Sequence, residues 1–155
     1  MNDTTFKATP ADDERFMLAA LNEARQAAEL GEVPIGAVVV GPRGSVVGRG
    51  HNLTETLADV TAHAEMQAIT AAAQTLGGKY LTGCTLYVTV EPCLMCAGAI
   101  AWAQVSRIVI GAPDPKRGYT AYTKSPFHPR ASVVTGVLAD DCSALVTSFF
   151  RSLRR

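Results

Sequence analysis

Residues 85–96 read Thr-Leu-Tyr-Val-Thr-Val-Glu-Pro-Cys-Leu-Met-Cys, and this stretch decides the fold. Its first half is rich in residues that favour β-strands. Pro92 cannot donate to a strand ladder and suits the first turn of a helix. The stretch therefore predicts a strand over residues 85–90 that leads directly into a helix from about Cys93 to Ala103.

Strands and helices alternate on both sides of this stretch. Upstream, acidic residues at 12–14 begin a helix whose apolar residues recur at helical spacing until Gly31. A hairpin (residues 34–40 and 45–50), a loop (52–61) and a helix (63–76) follow. Downstream, we expect a strand, a long loop, a short strand and a last helix, at residues 106–111, 112–130, 132–136 and 139–153. This order predicts an α/β fold, a three-layer α/β/α sandwich around a mixed sheet of about five strands.

Length and composition predict one domain. The chain has 155 residues, of which 48% are hydrophobic and 18% are charged, enough to bury a core without disulfides. We expect a single domain over residues 1–155 with a polar tail at 1–11. No apolar run approaches the roughly 20 residues that span a bilayer, and the first ten residues lack the apolar stretch of a signal peptide. We therefore expect a cytoplasmic protein without membrane contact, whose four cysteines are thiols or metal ligands.

Charge is sorted along the chain although the net charge is zero. Residues 1–103 carry 6 basic and 11 acidic side chains, whereas residues 104–155 carry 8 basic and 3 acidic ones. A basic second half that ends in Arg151, Arg154 and Arg155 suits phosphate binding. The alternative is a solvated helix end, where cations suit the helix dipole.

Three residues have the spacing of a catalytic zinc site. Cys93 and Cys96 lie about one helical turn apart, so both sulfurs can reach one ion, and His63 at the start of another helix supplies a third ligand. Two sulfur ligands and one nitrogen ligand leave a coordination position open for water, whose pKa zinc lowers from 15.7 to about 7. We therefore predict Zn²⁺ held by His63, Cys93 and Cys96.

Glu65 is the candidate catalytic residue. It follows His63 by two residues, and in the first turn of a helix both side chains can point into the same cavity. A carboxylate beside the water can accept its proton and deliver it to a ring nitrogen and then to departing ammonia. This His-x-Glu and Pro-Cys-x-x-Cys arrangement is the signature of zinc-dependent nucleobase deaminases.

The resemblance extends well beyond this signature. Five segments look like the bacterial tRNA-specific adenosine deaminases of the cytidine deaminase-like superfamily: residues 32–38 (EVPIGAV), Asn52, 61–65 (TAHAE), 85–99 (TLYVTVEPCLMCAGA) and 136–142 (GVLADDC). The resemblance implies conversion of the anticodon wobble adenosine to inosine by a zinc-dependent hydrolase. It also implies a homodimer in which each tRNA loop contacts both subunits. By this resemblance Asn52 hydrogen-bonds the base, Ala64 binds it through the backbone and Pro34 walls the pocket.

One departure from the family pattern keeps a second substrate class open. Bacterial members commonly have a His-Ser-Arg segment where this chain has Trp102-Ala103-Gln104. This stretch resembles guanine deaminases of the same superfamily. The alternative function is therefore deamination of a free nucleobase or nucleoside, such as guanine or cytosine. A third hypothesis, a non-catalytic zinc-binding partner subunit, is opposed by the presence of Glu65.

The remaining candidates have two interpretations each. Lys116, Arg117 and Arg130 can hold RNA phosphates, and the aromatic residues between them, Tyr119, Tyr122 and Phe127, can stack on bases or simply pack the loop. His51 is either a further ligand or a residue of the pocket rim. Core positions are expected for four residues: Cys84, Cys142, Phe149 and Phe150.

Overall fold

In the computed structural model, which describes residues 5–154, the chain forms four α-helices, five strands and one 3₁₀ turn. Predictions for residues 1–4 of the polar tail and for Arg155 lie outside this range. The helices are α1 (Pro10–Glu29), α2 (Ala64–Leu76), α3 (Leu94–Trp102) and α4 (Ala139–Leu153). The strands are β1 (Gly36–Val40), β2 (Val46–His51), β3 (Thr85–Val90), β4 (Arg107–Ala112) and β5 (Ser132–Thr135), and the 3₁₀ turn is Tyr119–Ala121.

The five strands form one mixed sheet in the order β2-β1-β3-β4-β5. β1 runs antiparallel to both of its neighbours, whereas β3, β4 and β5 run parallel to one another. Parallel neighbours need crossover connections. Here α3 connects β3 to β4, so the stretch at residues 85–96 lies at the centre of the fold.

Helices cover both faces of the sheet, which confirms the predicted three-layer sandwich. Alternate residues of β1 point to opposite faces: Val38 and Val40 pack with α1 and Cys142 of α4, whereas Ala37 and Val39 pack with α2 and α3. β3 ends at Val90, and the chain continues through Glu91 and Pro92 to α3, which packs with α2 on one face of the sheet. The predicted ligand segments lie at the N-terminal ends of these two helices. None of the helices in residues 5–154 combines the length and the apolar character needed to cross a membrane.

The first helix begins earlier than predicted, and the polar tail is correspondingly shorter. Thr9 caps α1: its hydroxyl accepts a hydrogen bond from the Asp12 N–H (3.2 Å), and the Asp12 carboxylate accepts one from the Thr9 N–H (2.9 Å). Pro10 takes the first helical position. This capping box places Asp12 in the third helical position rather than at the start. Residues 10 and 11, predicted as tail, are therefore helical.

Two glycines of β2 let α2 approach the sheet closely. A Cβ on Gly50 would collide with the Ala64 carbonyl oxygen, and one on Gly48 would collide with the Ala68 carbonyl oxygen. Alanines at 64, 68 and 72 complete this contact, and all three are buried. The close approach fixes the N-terminal end of α2 against the sheet, and this end carries His63 and Glu65.

Candidate active site

The predicted ligands lie at the N-terminal ends of two helices. His63 is the N-cap residue of α2 and Cys93 is the N-cap residue of α3, both with extended backbone and without a side-chain capping bond. Cys96 lies in the first turn of α3 and is buried. Free helix N-termini favour negative charge, so both sulfurs are in a setting that stabilises thiolates.

The three ligand atoms form one cluster. His63 Nδ1 lies 3.6 Å from Cys93 Sγ and 3.4 Å from Cys96 Sγ, and all three atoms lie within 4.8 Å of one another. These separations suit three corners of a tetrahedral site, where zinc takes sulfur ligands at about 2.3 Å and nitrogen ligands at about 2.0 Å. The donors and their arrangement therefore fit zinc.

Contacts within the cluster also shift the pKa values of its three side chains. Hydrogen bonds from Cys96 and His63 lower the pKa of the Cys93 thiol to about 4, and the hydrogen bond to Cys93 raises the pKa of His63. The shared hydrogen bond with Cys93, together with burial, raises the pKa of Cys96. The cluster thus favours ionisation of Cys93 over Cys96, and because zinc binds deprotonated ligands, metal binding releases protons from the cluster.

Glu65 lies beside the cluster, in the first turn of α2. Only 4% of its surface is exposed, and burial raises the pKa of its carboxyl group to about 7. His63 as the N-cap and Glu65 two positions later both line one cavity, as the sequence predicted. A carboxyl group in this position can exchange protons with a reactant held between it and the cluster.

A cavity of about 690 Å³ opens over the cluster. Its size lies within the usual range for small-molecule sites. Besides His63, Glu65 and Cys93, its walls come from five parts of the chain: Val33 and Ile35; Asn52 and Thr54; Val90 and Glu91; Asp114, Lys116 and Arg117; Val146 and Phe150.

The predicted base-contacting residues occupy different positions around this cavity. Asn52 and Ala64 line it directly. Asn52 is held on both sides, because its backbone N–H donates to the Ile35 carbonyl (3.1 Å) and its side-chain oxygen accepts from the Thr54 N–H (3.4 Å). Pro34 is buried between Val33 and Ile35, which form the wall on that side.

The predicted RNA contacts divide into two groups. Lys116 and Arg117 are exposed and line the cavity mouth. Arg130 is also exposed but lies outside the cavity lining, with its N–H bonded to His128 Nδ1 (3.1 Å). The structure thus brings two of the three cations to the site.

Most of the aromatic loop residues pack the loop itself. Tyr119 and Phe127 are buried and meet edge to face with ring centroids 4.9 Å apart, so neither presents a face to a base. Tyr122 remains exposed. His51 is not part of the metal cluster, because its Nδ1 pairs with Glu23 Oε1 at 3.1 Å. Cys84 and Cys142 are buried, as expected for core thiols.

Two aromatic residues do not lie in the core as predicted, and two buried acids were not predicted. Phe150 is 43% exposed and lines the cavity, and Phe149 is half-buried and belongs to neither core cluster. The contact of Phe150 with the cavity is long-range in sequence, so no local pattern could indicate it. Glu32 and Glu91 are buried, and each accepts hydrogen bonds from a loop at the cavity rim. The only local sequence signal for these two glutamates was an acidic residue beside an apolar segment.

Two sulfurs and one imidazole around a metal, with a buried carboxylate in the same cavity of an α/β/α sandwich, are the arrangement of zinc-dependent hydrolytic deaminases. This is the class that fold and site define. Residues 10–112 match the family model of the cytidine and deoxycytidylate deaminase zinc-binding region. The chain belongs to this family.

Four similar proteins align with most of this chain. A tRNA-specific adenosine deaminase of Bacillus subtilis is 47% identical over 92% of this chain and 91% of its own, and one of Agrobacterium fabrum is 43% identical over 93% and 97%. A solved structure from work on A-to-I editing by tRNA:A34 deaminases is 43% identical, with a TM-score of 0.78 over 84% of this chain and 98% of that chain. Guanine deaminase from Nitrosomonas europaea is 25% identical, with a TM-score of 0.70 over 94% and 86%.

Proposed function

We propose that this chain, acting as one deaminase domain over residues 1–155, converts the wobble adenosine of a tRNA anticodon loop to inosine. The observation that carries the proposal is a cavity that joins the His63, Cys93 and Cys96 cluster to Glu65 and is rimmed by two exposed cations, Lys116 and Arg117. A free base needs no such cations, whereas a base extruded from an RNA loop brings its phosphates with it. The relatives named tRNA-specific adenosine deaminases support the same substrate.

The residues of the cavity have complementary roles in this reaction. His63, Cys93 and Cys96 would hold zinc, which would supply Lewis-acid activation of a water molecule at neutral pH. Glu65 accepts one proton from the attacking water and passes it to the ring nitrogen. It then takes the proton of the hydroxyl group added to the amine-bearing carbon and delivers it to the amino group, which leaves as ammonia while the carbonyl forms. Its burial keeps bulk water away from the proton transfers.

The base is oriented by other residues of the cavity wall. Asn52 hydrogen-bonds the base, with its own orientation fixed by Thr54. The backbone of Ala64 contacts the base, and Pro34 supports the apolar wall formed by its neighbours Val33 and Ile35. These contacts hold the amine-bearing carbon against the zinc site.

Phosphates are bound by Lys116, Arg117 and Arg130. Since each neutralised phosphate releases counterions, binding should weaken as the salt concentration rises. Replacing all three by Ala should raise the KM for RNA and flatten its salt dependence, because no reacting group is removed. Deamination of any free base should stay unchanged in this variant.

We further propose that the enzyme is a cytoplasmic homodimer in which both subunits contact the tRNA loop. A chain of 155 residues has little surface with which to hold a folded RNA loop. One face of α3 carries Leu94, Met95 and Trp102, all exposed, and 84% of the Trp102 surface is accessible. Apolar side chains of this size in one patch suit a protein contact, and α3 begins at the zinc site.

Guanine deamination is the second candidate, favoured by the resemblance around Trp102 and by the Nitrosomonas europaea structure. Trp102 lies outside the cavity lining, however, so this departure does not reshape the substrate pocket. The test is a parallel incubation of zinc-loaded protein with an adenosine-34 anticodon stem-loop, guanine, cytosine and adenine. We expect inosine from the stem-loop and little ammonia from the bases. Rapid release of ammonia from guanine, with an unedited stem-loop, would establish the second candidate instead.

A further inference from the structure

Glu91 makes an unusual set of contacts for a residue that touches no metal ligand side chain. It lies between the end of β3 and Pro92 and is 9% exposed. Its Oε2 accepts hydrogen bonds from the Thr120 hydroxyl (2.8 Å) and the Thr120 N–H (3.1 Å), and its Oε1 accepts one from the Asp114 N–H (3.4 Å). One carboxylate thus holds both ends of the loop at residues 114–120, which we term the cation loop.

The cation loop is closed tightly around Glu91. The Gly118 N–H donates to the Asp114 carbonyl (2.8 Å), and the Tyr119 N–H donates to the Pro92 carbonyl (2.9 Å). A Cβ on Gly118 would collide with the Glu91 carboxylate, so the loop backbone lies directly on this group. Gly118 also forms an isolated β-bridge with Cys93. The loop is therefore attached to the same backbone that carries a zinc ligand.

Lys116 and Arg117 stand at the outer turn of the cation loop. Both are exposed, and both line the cavity mouth. Long charged side chains on an unattached loop would sample many directions, and ordering them on binding costs entropy. The three bonds to Glu91 place both cations over the cavity before RNA arrives.

We propose that Glu91 is a positioning residue that presents Lys116 and Arg117 to the phosphates flanking the target base. The inference rests on the proposed function for its ligand. Glu91 takes no part in proton transfer, because both of its carboxylate oxygens accept hydrogen bonds from the cation loop. Glu91 acts on RNA binding through the cation loop.

Glu32 provides a matched comparison, because it holds another loop that reaches the cavity through Thr54. This carboxylate is also buried and accepts bonds from the Glu55 N–H (3.1 Å), the Thr56 N–H (2.7 Å) and the Thr56 hydroxyl (2.7 Å). The loop that it holds, residues 53–61, contains no Lys or Arg. Removing either glutamate thus frees one loop at the cavity rim, but only the loop held by Glu91 contains Lys or Arg.

The experiment measures the Kd of the zinc-loaded full chain for an anticodon stem-loop between 50 and 200 mM salt. The variants are Glu91→Ala, Glu91→Gln, Glu32→Ala, the pair Lys116→Ala with Arg117→Ala, and that pair combined with Glu91→Ala. Two phosphate contacts to a single strand contribute about 1.4 to the salt slope, or about sevenfold in affinity over this range. We expect Glu91→Ala to lose this sevenfold dependence, as the charge pair does, and the combined variant to differ from Glu91→Ala by less than twofold.

The controls separate positioning from loss of structure. Glu32→Ala should keep the wild-type salt slope even where it weakens the fold. Glu91→Gln should have an intermediate salt slope, because the carbonyl oxygen of Gln can still accept the hydrogen bonds from Thr120. If Glu91→Ala does not fold, Glu91→Gln provides the test instead. A wild-type salt slope in Glu91→Ala or Glu91→Gln, or additive effects in the combined variant, would overturn the proposal.

Hydrogen exchange of the Asp114 and Thr120 amides tests the same proposal without RNA. Both amides should exchange faster in Glu91→Ala than in wild type and stay protected in Glu32→Ala. Unchanged exchange in Glu91→Ala would show that Glu91 does not hold the loop and would overturn the inference. A stem-loop that wild type neither binds nor edits would instead contradict the proposed function, while the exchange result still decides whether Glu91 fixes the loop.

Discussion

Cys96 provides the zinc site with the ligand most enclosed by protein. It is fully buried one helical turn from Cys93, with His63 Nδ1 at 3.4 Å. Replacing it with Ser exchanges a soft thiolate for a hydroxyl that zinc binds poorly. We expect Cys96→Ser to fall well below one zinc per chain by metal analysis, whereas Cys84→Ala, which removes a buried thiol elsewhere, should keep its zinc. Tightly bound, stoichiometric zinc in Cys96→Ser would contradict the ligand assignment.

The chemistry-bearing residues could be predicted because each pair is local in sequence. Cys93 and Cys96 lie about one helical turn apart, so their spacing indicates a shared direction. His63 and Glu65 are only two residues apart and reach the same cavity because His63 is the extended N-cap residue of α2. The cavity walls are different. Phe150 reaches the site because α4 packs against β4, and this long-range contact leaves no periodic signal.

At the scale of elements, the close contact of α2 with β2 positions half of the site. A Cβ on Gly50 would collide with backbone atoms of Ala64 and Ala68, whereas one on Gly78 would meet nothing within 4 Å. We expect Gly50→Ala to lower the free energy of unfolding by about 1–3 kcal/mol, the usual cost of overpacking, and to weaken zinc binding by displacing His63. Urea denaturation and zinc titration check this, with Gly78→Ala as the control. Wild-type stability and zinc affinity in Gly50→Ala would show that α2 can shift without consequence.

A second element contact links α1 to the sheet through Asp13. Its carboxylate accepts hydrogen bonds from the Tyr87 hydroxyl (2.6 Å) and from both terminal nitrogens of Arg107 (2.7 and 2.6 Å). Burial opposes ionisation, but these bonds outweigh it and hold the pKa of Asp13 below its usual value. Because the folded pKa is the lower one, the stabilisation is complete above the unfolded pKa of about 3.9 and disappears as pH falls through the folded pKa.

This contact gives a pH-dependent prediction. Asp13→Asn should lower the free energy of unfolding by about 2 kcal/mol at pH 7, the usual contribution of hydrogen bonds to a charged group. The difference from wild type should narrow as the pH falls below about 4. Urea denaturation across this pH range measures both, with Glu14→Gln, an exposed neighbour, as the control. A difference that does not change with pH would mean that the Asp13 charge does not stabilise the contact.

The order of elements was predictable from sequence, whereas several ends were not. Turn residues and strand-forming runs placed all four helices and five strands of residues 5–154. The start of α1 was predicted late because acidic residues at 12–14 mark a first turn, not a first residue. Thr9 and Pro10 carried the better signal, since a capping residue followed by proline begins a helix more sharply than charge does.

At the scale of the whole molecule, the exposed face of α3 predicts association. Trp102→Glu introduces a charge into this face and should convert a dimer into a monomer of about 16.3 kDa by light scattering. Leu18→Glu, at an exposed leucine of α1 on the opposite face of the sheet, should leave the mass of the assembly unchanged. A wild-type protein that is monomeric at micromolar concentration and fully active would rule out the dimer as the working form.

Zinc, Glu65 and an RNA-bound adenosine must act together if the account is right, and one measurement tests all three. A tRNA with adenosine at the wobble position is incubated with zinc-loaded wild type or with Glu65→Gln, and its nucleosides are analysed over time. We expect inosine at this position with wild type and a rate about 10²- to 10⁴-fold lower with Glu65→Gln, at equal zinc content and equal tRNA affinity. Inosine formation by Glu65→Gln within a few-fold of wild type, or none by wild type, would contradict it.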